Sequence, residues 1–226
     1  MVSKKYDYAV VCGADCPGRF IISGFQSLNA MSAFSCQPFD IERQGLNLGE
    51  AAATVVLGRE ITTKSVNNGC RRQVWQIGHG YIKNDAYHIS APSKTAEGLY
   101  EALLKTMNGI DKRNIAFINA HGTATVNNDL SESRALMRIF GEHVPDFSST
   151  KAFTGHTLAV ASAVEAVFSV LALQHGVVFP NLNFSTPMEE VPIRPQTELK
   201  YKPIQHVLSN SFGFGGNCST LILGKR

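Results

Sequence analysis

The chain has 226 residues, of which 44% are hydrophobic and 17% charged, with a formal net charge of +3. That balance suits a folded globular protein and excludes a disordered one. The basic residues form no run longer than two, so no nucleic-acid groove is suggested, and a mean hydropathy of −0.04 argues against a polytopic membrane protein.

Taken in chain order, residues 8–13 form a short buried-strand pattern ending at glycine. Residues 24–31 read as a short helix, and 36–49 as a polar, turn-rich loop. Residues 50–57 read as helix-to-strand or as strand alone, 61–70 as a loop with an Asn-Asn-Gly turn, and 74–81 as strand. Residues 95–107 have helical period, with Leu99, Ala102, Leu103 and Met107 on one face. Residues 114–119 form a buried strand that delivers His121 to its carboxyl end. An amphipathic helix follows over 129–140, capped by Asn128 or Asp129. Residues 151–156 read as a loop feeding a helix over 157–173. Two strands, 207–211 and 219–223, flank a glycine-rich turn. Strands alternate with helices, which predicts an α/β layered fold.

Residues 157–173 are almost free of charge. The run falls short of the ~20 residues that span a bilayer, and Glu165 at its centre is costly in lipid. It reads as a central helix buried on all sides, so no membrane span is expected. The five cysteines, at 12, 16, 36, 70 and 218, are odd in number and irregular in spacing. They read as free or buried thiols. The first residues lack the apolar core of a signal peptide, and a reducing, cytoplasmic compartment is the expectation.

Two of the seven histidines stand where α/β folds place ligands. His121 lies at a strand end in Asn-Ala-His-Gly-Thr-Ala-Thr, and His156 at a helix start in Lys-Ala-Phe-Thr-Gly-His. A helix N-terminus favours a neutral imidazole, which can donate an N–H to a developing oxyanion. Each also has an ordinary structural reading. No His-x-x-His spacing exists, so no metal site is expected. Lys151 and Glu165 could meet if the loop folds back along the helix, as an ion pair or as part of a site. The Phe212–Asn217 segment, Phe-Gly-Phe-Gly-Gly-Asn, fits no phosphate-binding motif. It suits either a tight turn or a mobile flap with a bulky gate.

As a set, these pieces resemble the β-ketoacyl-acyl-carrier-protein synthases, condensing enzymes of the thiolase-like superfamily. The matching segments are 36–51 (CQPFDIERQGLNLGEA), 84–88 (NDAYH), 120–125 with Asn128, Asp129 and Glu132, then 149–156 (STKAFTGH), Glu165, and 209–217 (SNSFGFGGN). They occur in the family's order and cover nearly the whole chain. The resemblance implies a layered αβαβα fold, with residues 1–73 as the end of the first thiolase-like half and 74–226 as the complete second half. It implies that His121 and His156 are the active-site histidines, with Lys151 beside them and Glu165 as its acidic partner. Thr123 and Thr125 match the threonines that contact the pantetheine arm. Phe214 matches the gating phenylalanine, with Gly213, Gly215 and Gly216 as its hinge. Phe39, Asp40, Arg43 and Glu50 belong to a family structural loop.

The resemblance further implies decarboxylative condensation of an acyl thioester with a malonyl thioester. No cofactor is expected. Acyl carrier protein is the expected partner, with a homodimer, or a heterodimer with an N-terminal-half or full synthase subunit. Family members carry a nucleophilic cysteine in the first half, and none of the five cysteines here stands in that context. Cys16 comes nearest by position. About one domain's worth of the family, roughly 180 residues, lies ahead of the matching region. The chain alone is therefore expected not to condense. A second reading is a non-catalytic partner of the chain-length-factor kind, and a third a thiolase-like degradative enzyme. Both histidines and the lysine favour the first reading. Gln44 and Leu46 stand where the family loop commonly has Asp and Phe.

Overall fold

The structure, a computed structural model, describes residues 6–58 and 75–225. Strand β1 (Tyr8–Asp15) pairs antiparallel with β2 (Ala51–Gly58), placing Val10 opposite Val56. The β-branched Thr54, Val55 and Val56 outweigh the three alanines before them, so this segment is strand alone. Helix α1 (Arg19–Ser27) begins earlier than the sequence suggests, because Phe20, Ile21 and Ile22 already follow Gly18 at its N-cap. It ends before Asn29, whose φ of +49° leaves the helical region. The turn expected within 61–70 lies outside the described residues.

The second part comprises β3 (Trp75–Asn84), α2 (Glu97–Thr106), β4 (Ile115–Asn119), α3 (Val126–Phe140) and β5 (Asp146–Ser148). Then come α4 (Lys151–Thr154), α5 (Ala161–His175), β6 (Val177–Val178), β7 (Lys200–Tyr201), β8 (His206–Gly213) and β9 (Asn217–Lys225). Five strands form one mixed sheet in the order β3-β9-β8-β4-β5. Strands β8, β4 and β5 run parallel, while β9 is antiparallel to both β8 and β3. The carboxyl ends of the three parallel strands therefore share one edge of the sheet.

Alternation along the strands sends side chains to two cores. Ile118, Leu208 and Ile222 pack with Leu99 and Leu103 of α2 and Leu136 and Ile139 of α3. Phe117, Val207 and Leu223 pack with Ala172 and Leu173 of α5. The β1–β2 ribbon lies against α5 and the short 3₁₀ turn, Leu158–Val160, that leads into it. At Gly13 of the ribbon, an added methyl would sit 3.2 Å from Val160.

Besides the early start of α1, the run read as a buried strand at 8–13 has no buried residue, because the ribbon has cover on only part of one face, and three further expectations are corrected. The first concerns α3, which begins at Val126 with Thr125 at its N-cap and no side-chain cap bond. Asn128 and Asp129 lie in its first turn instead. Asp129 is drawn there because its carboxylate turns back to serve the preceding loop. The second concerns residues 151–156, where Lys151–Thr154 form one helical turn rather than a plain loop. The third concerns α5, which is not buried on all sides. Its buried stripe is Ala161, Glu165, Ser169, Ala172 and Leu173. Ser162 and Val167 are exposed. The helix covers the large sheet on one side, while the narrow ribbon screens only part of the other. Leu158–His175 is long and apolar enough to cross a membrane by composition alone, yet its Glu165 is here paired with Lys151.

Candidate active site

The carboxyl ends of β4, β5 and β8 deliver the polar cluster. Beyond β4 the chain turns through His121-Gly122-Thr123-Ala124, and two buried carboxylates from α3 hold this turn. Glu132 accepts the backbone N–H groups of His121 (3.0 Å) and Gly122 (2.9 Å), and the side-chain amide of Asn210 (3.0 Å). Asp129 accepts the N–H groups of Thr123 (2.9 Å), Ala124 (3.1 Å) and Phe39 (2.7 Å). Burial pushes both carboxyls up, Glu132 to about 7. Gly122 has φ +34°, and a methyl there would lie 2.6 Å from Ser149 Cβ and 2.7 Å from Phe39 Cε2. The turn closes tightly only because that residue has no side chain.

From β5, Ser149 and Lys151 approach the same turn. Ser149 Oγ donates to the Gly122 carbonyl at 2.7 Å. Lys151 is 2% exposed. Its ammonium donates to the His121 carbonyl at 2.6 Å, stands 3.3 Å from His121 Nδ1, and pairs with Glu165 from α5. Ser211 from β8 donates to the other Glu165 oxygen at 3.3 Å. Burial pushes the Glu165 carboxyl up, and Lys151 pulls it back. The pair expected from the sequence is thus formed, and its remaining valences are used on His121 and Ser211.

His156 is set by the 36–49 loop. Its N–H donates to Asn47 O (2.7 Å), and its carbonyl accepts from Gly49 N (3.1 Å). Gly49 allows this clamp: a methyl there would lie 1.9 Å from Thr154 O. Asp40 shapes the loop by accepting from Glu42 N (2.8 Å), Ser185 N (2.6 Å) and Thr186 N (2.9 Å). Arg43 donates to Asp40 O (2.8 Å) and Val126 O (2.9 Å). Phe39 is buried edge-on against Phe147 at 5.1 Å. Glu50 is exposed just before β2.

The two imidazoles meet edge to face, ring centres 5.3 Å apart at 84°. Leu158 N–H donates to His156 Nδ1 at 3.1 Å, and the Lys151 ammonium is the donor facing His121 Nδ1. Each Nδ1 is therefore an acceptor, and each ring carries its proton on Nε2. Burial, reinforced by the Lys151 charge, holds both rings neutral. His156 is lowered to about 3, and His121 well below the usual imidazole range.

Both histidines line a cavity of about 600 Å³ shared with Thr123, Thr125 and Phe214. The two threonine hydroxyls are 2.8 Å apart. Phe214 is half exposed, at the tip of the β8–β9 turn. The structure brings His121, His156, Lys151 and Glu165 into one cluster, with Thr123, Thr125, Gly213 and Phe214 around the adjoining cavity. Gly215 and Gly216 adopt φ of +83° and +84°, whereas Gly213 is not in that region. Gly215 N–H donates to Ile89 O (2.7 Å), and Asp85 N–H to Gly216 O (2.7 Å). The sequence marks Asp129 only as a candidate helix cap, places it and Glu132 in the matching set without a site role, and singles out neither Ser211 nor Phe25. The acidic pair at 129 and 132 after a His-Gly-Thr turn was the available signal.

Of the cysteines, Cys70 lies outside the described residues, and Cys12 and Cys16 are exposed and outside the cavity lining. Cys36 is buried, its thiol donating to Lys151 O at 3.5 Å. Cys218 lines the cavity, but burial pushes its thiol up to about 12. Among the described residues no cluster of His, Cys, Asp or Glu is arranged to hold a metal ion.

Comparison with known proteins bears on this arrangement. The family profile "Beta-ketoacyl synthase, C-terminal domain" matches residues 76–185. The chain is 37% identical to 3-oxoacyl-[acyl-carrier-protein] synthase 2 of Rhizobium meliloti, over 96% of this chain and 54% of that protein. It is 34% identical to the mitochondrial 3-oxoacyl-[acyl-carrier-protein] synthase of Arabidopsis thaliana, over 89% of this chain and 46% of that one. The chain thus spans about half the length of the curated relatives it matches. Among solved structures, the ishigamide ketosynthase/chain length factor superposes with a TM-score of 0.89 at 30% identity, covering 99% of this chain and 55% of that one. A Xenorhabdus doucetiae ketosynthase in complex with its chain length factor superposes with a TM-score of 0.86 at 37% identity, covering 97% and 53%. With the thiolase-like fold and the motif order both accounted for, the chain belongs to the β-ketoacyl-acyl-carrier-protein synthase family and corresponds to its C-terminal portion.

Proposed function

We propose that this chain supplies the decarboxylating part of a condensing site that acts on carrier-protein thioesters in fatty-acid or polyketide-type synthesis. The observation that carries the reading is the pair of neutral imidazoles, each with its proton on Nε2, facing one cavity. When a malonyl thioester loses its carboxylate as CO2, the bonding electrons pass to the α-carbon and thioester oxygen as an enolate. His121 and His156 donate to that oxygen, each worth on the order of 3 kcal/mol in the transition state. Lys151 is the positioning residue that orients His121. The enolate carbon then attacks an acyl thioester carbonyl and expels a thiolate. That acyl group is parked on a cysteine of a second synthase-type subunit: among the described residues Cys218 is the one cysteine lining the cavity, and burial pushes its thiol up to about 12. Thr123 and Thr125 contact the pantetheine arm, and the Phe214 side chain, at the tip of the glycine-rich turn, gates it.

In this reading residues 1–73 close the first thiolase-like half and 74–226 form the second. Its location is the cytoplasm. Its partners are acyl carrier protein and a second synthase-type subunit. Support for a partner comes from the open ribbon, where Val10 and Val56 are exposed, and from α1, which has no buried residue. A purely structural partner subunit is the rival reading, and the retained histidine–lysine cluster weighs against it. The test is CO2 release from malonyl-carrier protein, with and without a cysteine-bearing synthase subunit. Condensation is expected only with that subunit, and His121→Ala or His156→Ala should lower decarboxylation about 100-fold or more. Covalent acylation of the isolated chain would sink the proposal.

A further inference from the structure

We propose that Phe25 is the positioning residue for the Phe214 gate, holding that ring over the cavity mouth as an aromatic stop. The inference rests on the reading of Phe214 as a gate. The two rings are stacked, centres 5.6 Å apart and planes 23° apart. Both line the cavity that contains His121 and His156.

The backbone around Phe214 is already fixed from the opposite side. Gly215 N–H donates to Ile89 O at 2.7 Å, Asn84 Nδ2 to Gly215 O at 2.9 Å, and Asp85 N–H to Gly216 O at 2.7 Å. The turn is therefore pinned to the segment at 84–89, and the half-exposed Phe214 side chain is the part left to swing. Phe25 is its aromatic contact among the described residues. Phe25 does not serve a core: α1 has no buried residue and leaves Phe20 87% exposed. A ring at 25 thus acts chiefly through its face against Phe214. A stacked aromatic pair biases such an equilibrium by about threefold to tenfold.

A native thiol reports on the gate. Cys218 lines the same cavity just beyond the turn and is 5% exposed. Cys36, 3% exposed, lies outside that lining and serves as an internal control for loosening of the fold. The full chain is treated with excess iodoacetamide, and the rate at each cysteine is read by peptide mass spectrometry. Phe214→Ala should raise the Cys218 rate and so sets the scale for an open mouth. Phe25→Leu should raise it about threefold to tenfold, and Phe25→Tyr should stay within about twofold of the parent. Cys36 should be unchanged in all of them. An unchanged Cys218 rate in Phe25→Leu or in Phe214→Ala overturns the proposal, as does a Cys36 rate that rises in step with Cys218. The labelling reads gate geometry alone. Failure of the decarboxylation assay would therefore strike the proposed function and leave this result standing.

Discussion

Lys151 Nζ lies 2.6 Å from the carbonyl oxygen of His121 and 3.3 Å from Nδ1 of the same residue. One buried ammonium thus fixes the position and the tautomer of that imidazole while neutralising Glu165. Removing the lysine should do two separable things. Lys151→Met leaves a buried carboxylate uncompensated and should cost about 3–5 kcal/mol in urea unfolding. Adding Glu165→Leu removes the stranded charge and should restore most of that stability. Decarboxylation should not recover with it, because His121 still lacks its donor. Recovery of both would contradict the positioning role.

Glu132 holds three donors at once, the N–H groups of His121 and Gly122 and the amide of Asn210. Glu132→Ala strands all three in a buried region. Each stranded donor costs about 1–3 kcal/mol, so urea unfolding should show a loss of several kcal/mol. Glu132→Gln keeps acceptor capacity and should lose less. Equal losses in the two variants would mean that side-chain volume, not hydrogen bonding, sets the cost.

The same residues give the stability a two-sided pH dependence. Folded His156 titrates at about 3, against 6.5 for a free imidazole. Between these values the unfolded chain binds more protons, so this contribution is lost as pH falls from 6.5 toward 3. His121, also lowered by burial, acts with the same sign. Glu132 has the opposite sign. Raised from 4.5 to about 7, it contributes stability that is complete below 4.5 and lost as pH rises through 7. Urea midpoints across this range should show His156→Gln flattening the acid side, and Glu132→Gln flattening the fall toward neutrality. A uniform offset at every pH would refute both assignments.

Gly49 is tested by a single methyl. The added carbon in Gly49→Ala would lie 1.9 Å from the Thr154 carbonyl oxygen, a backbone atom. The 36–49 loop must then part from His156. Overpacking of this kind costs about 1–3 kcal/mol, and activity should fall further than stability because His156 loses its clamp. Calorimetry and the decarboxylation assay, run side by side, check that order.

Much of the fold was legible because its signals are local. The strand at β4, the hairpin strands β8 and β9, and the amphipathic α2 all follow from periodicity that neighbouring residues impose. Histidine positions at strand and helix ends singled out His121 and His156 before any packing was known. Where the reading failed, contacts outside the element itself competed. Asp129 suits a helix cap by local preference, yet its carboxylate is taken by the N–H groups of Thr123 and Ala124 in the preceding loop and by Phe39, 90 residues earlier. Helix α5 is apolar all round, which predicts burial, but composition does not say how much of a sheet will cover it.

The sequence by itself determined the family, the α/β alternation and the residue types able to do the chemistry, since these are written in motif order and short-range spacing. The tertiary structure alone decided that the Lys151 ammonium also reaches the carbonyl and Nδ1 of His121, and that it and Leu158 N–H leave both imidazole protons on Nε2. It alone placed Phe25 against Phe214. Those contacts join β4, β5, β8, α1 and α5, and their geometry is set by how the sheet and helices pack rather than by any local stretch of chain.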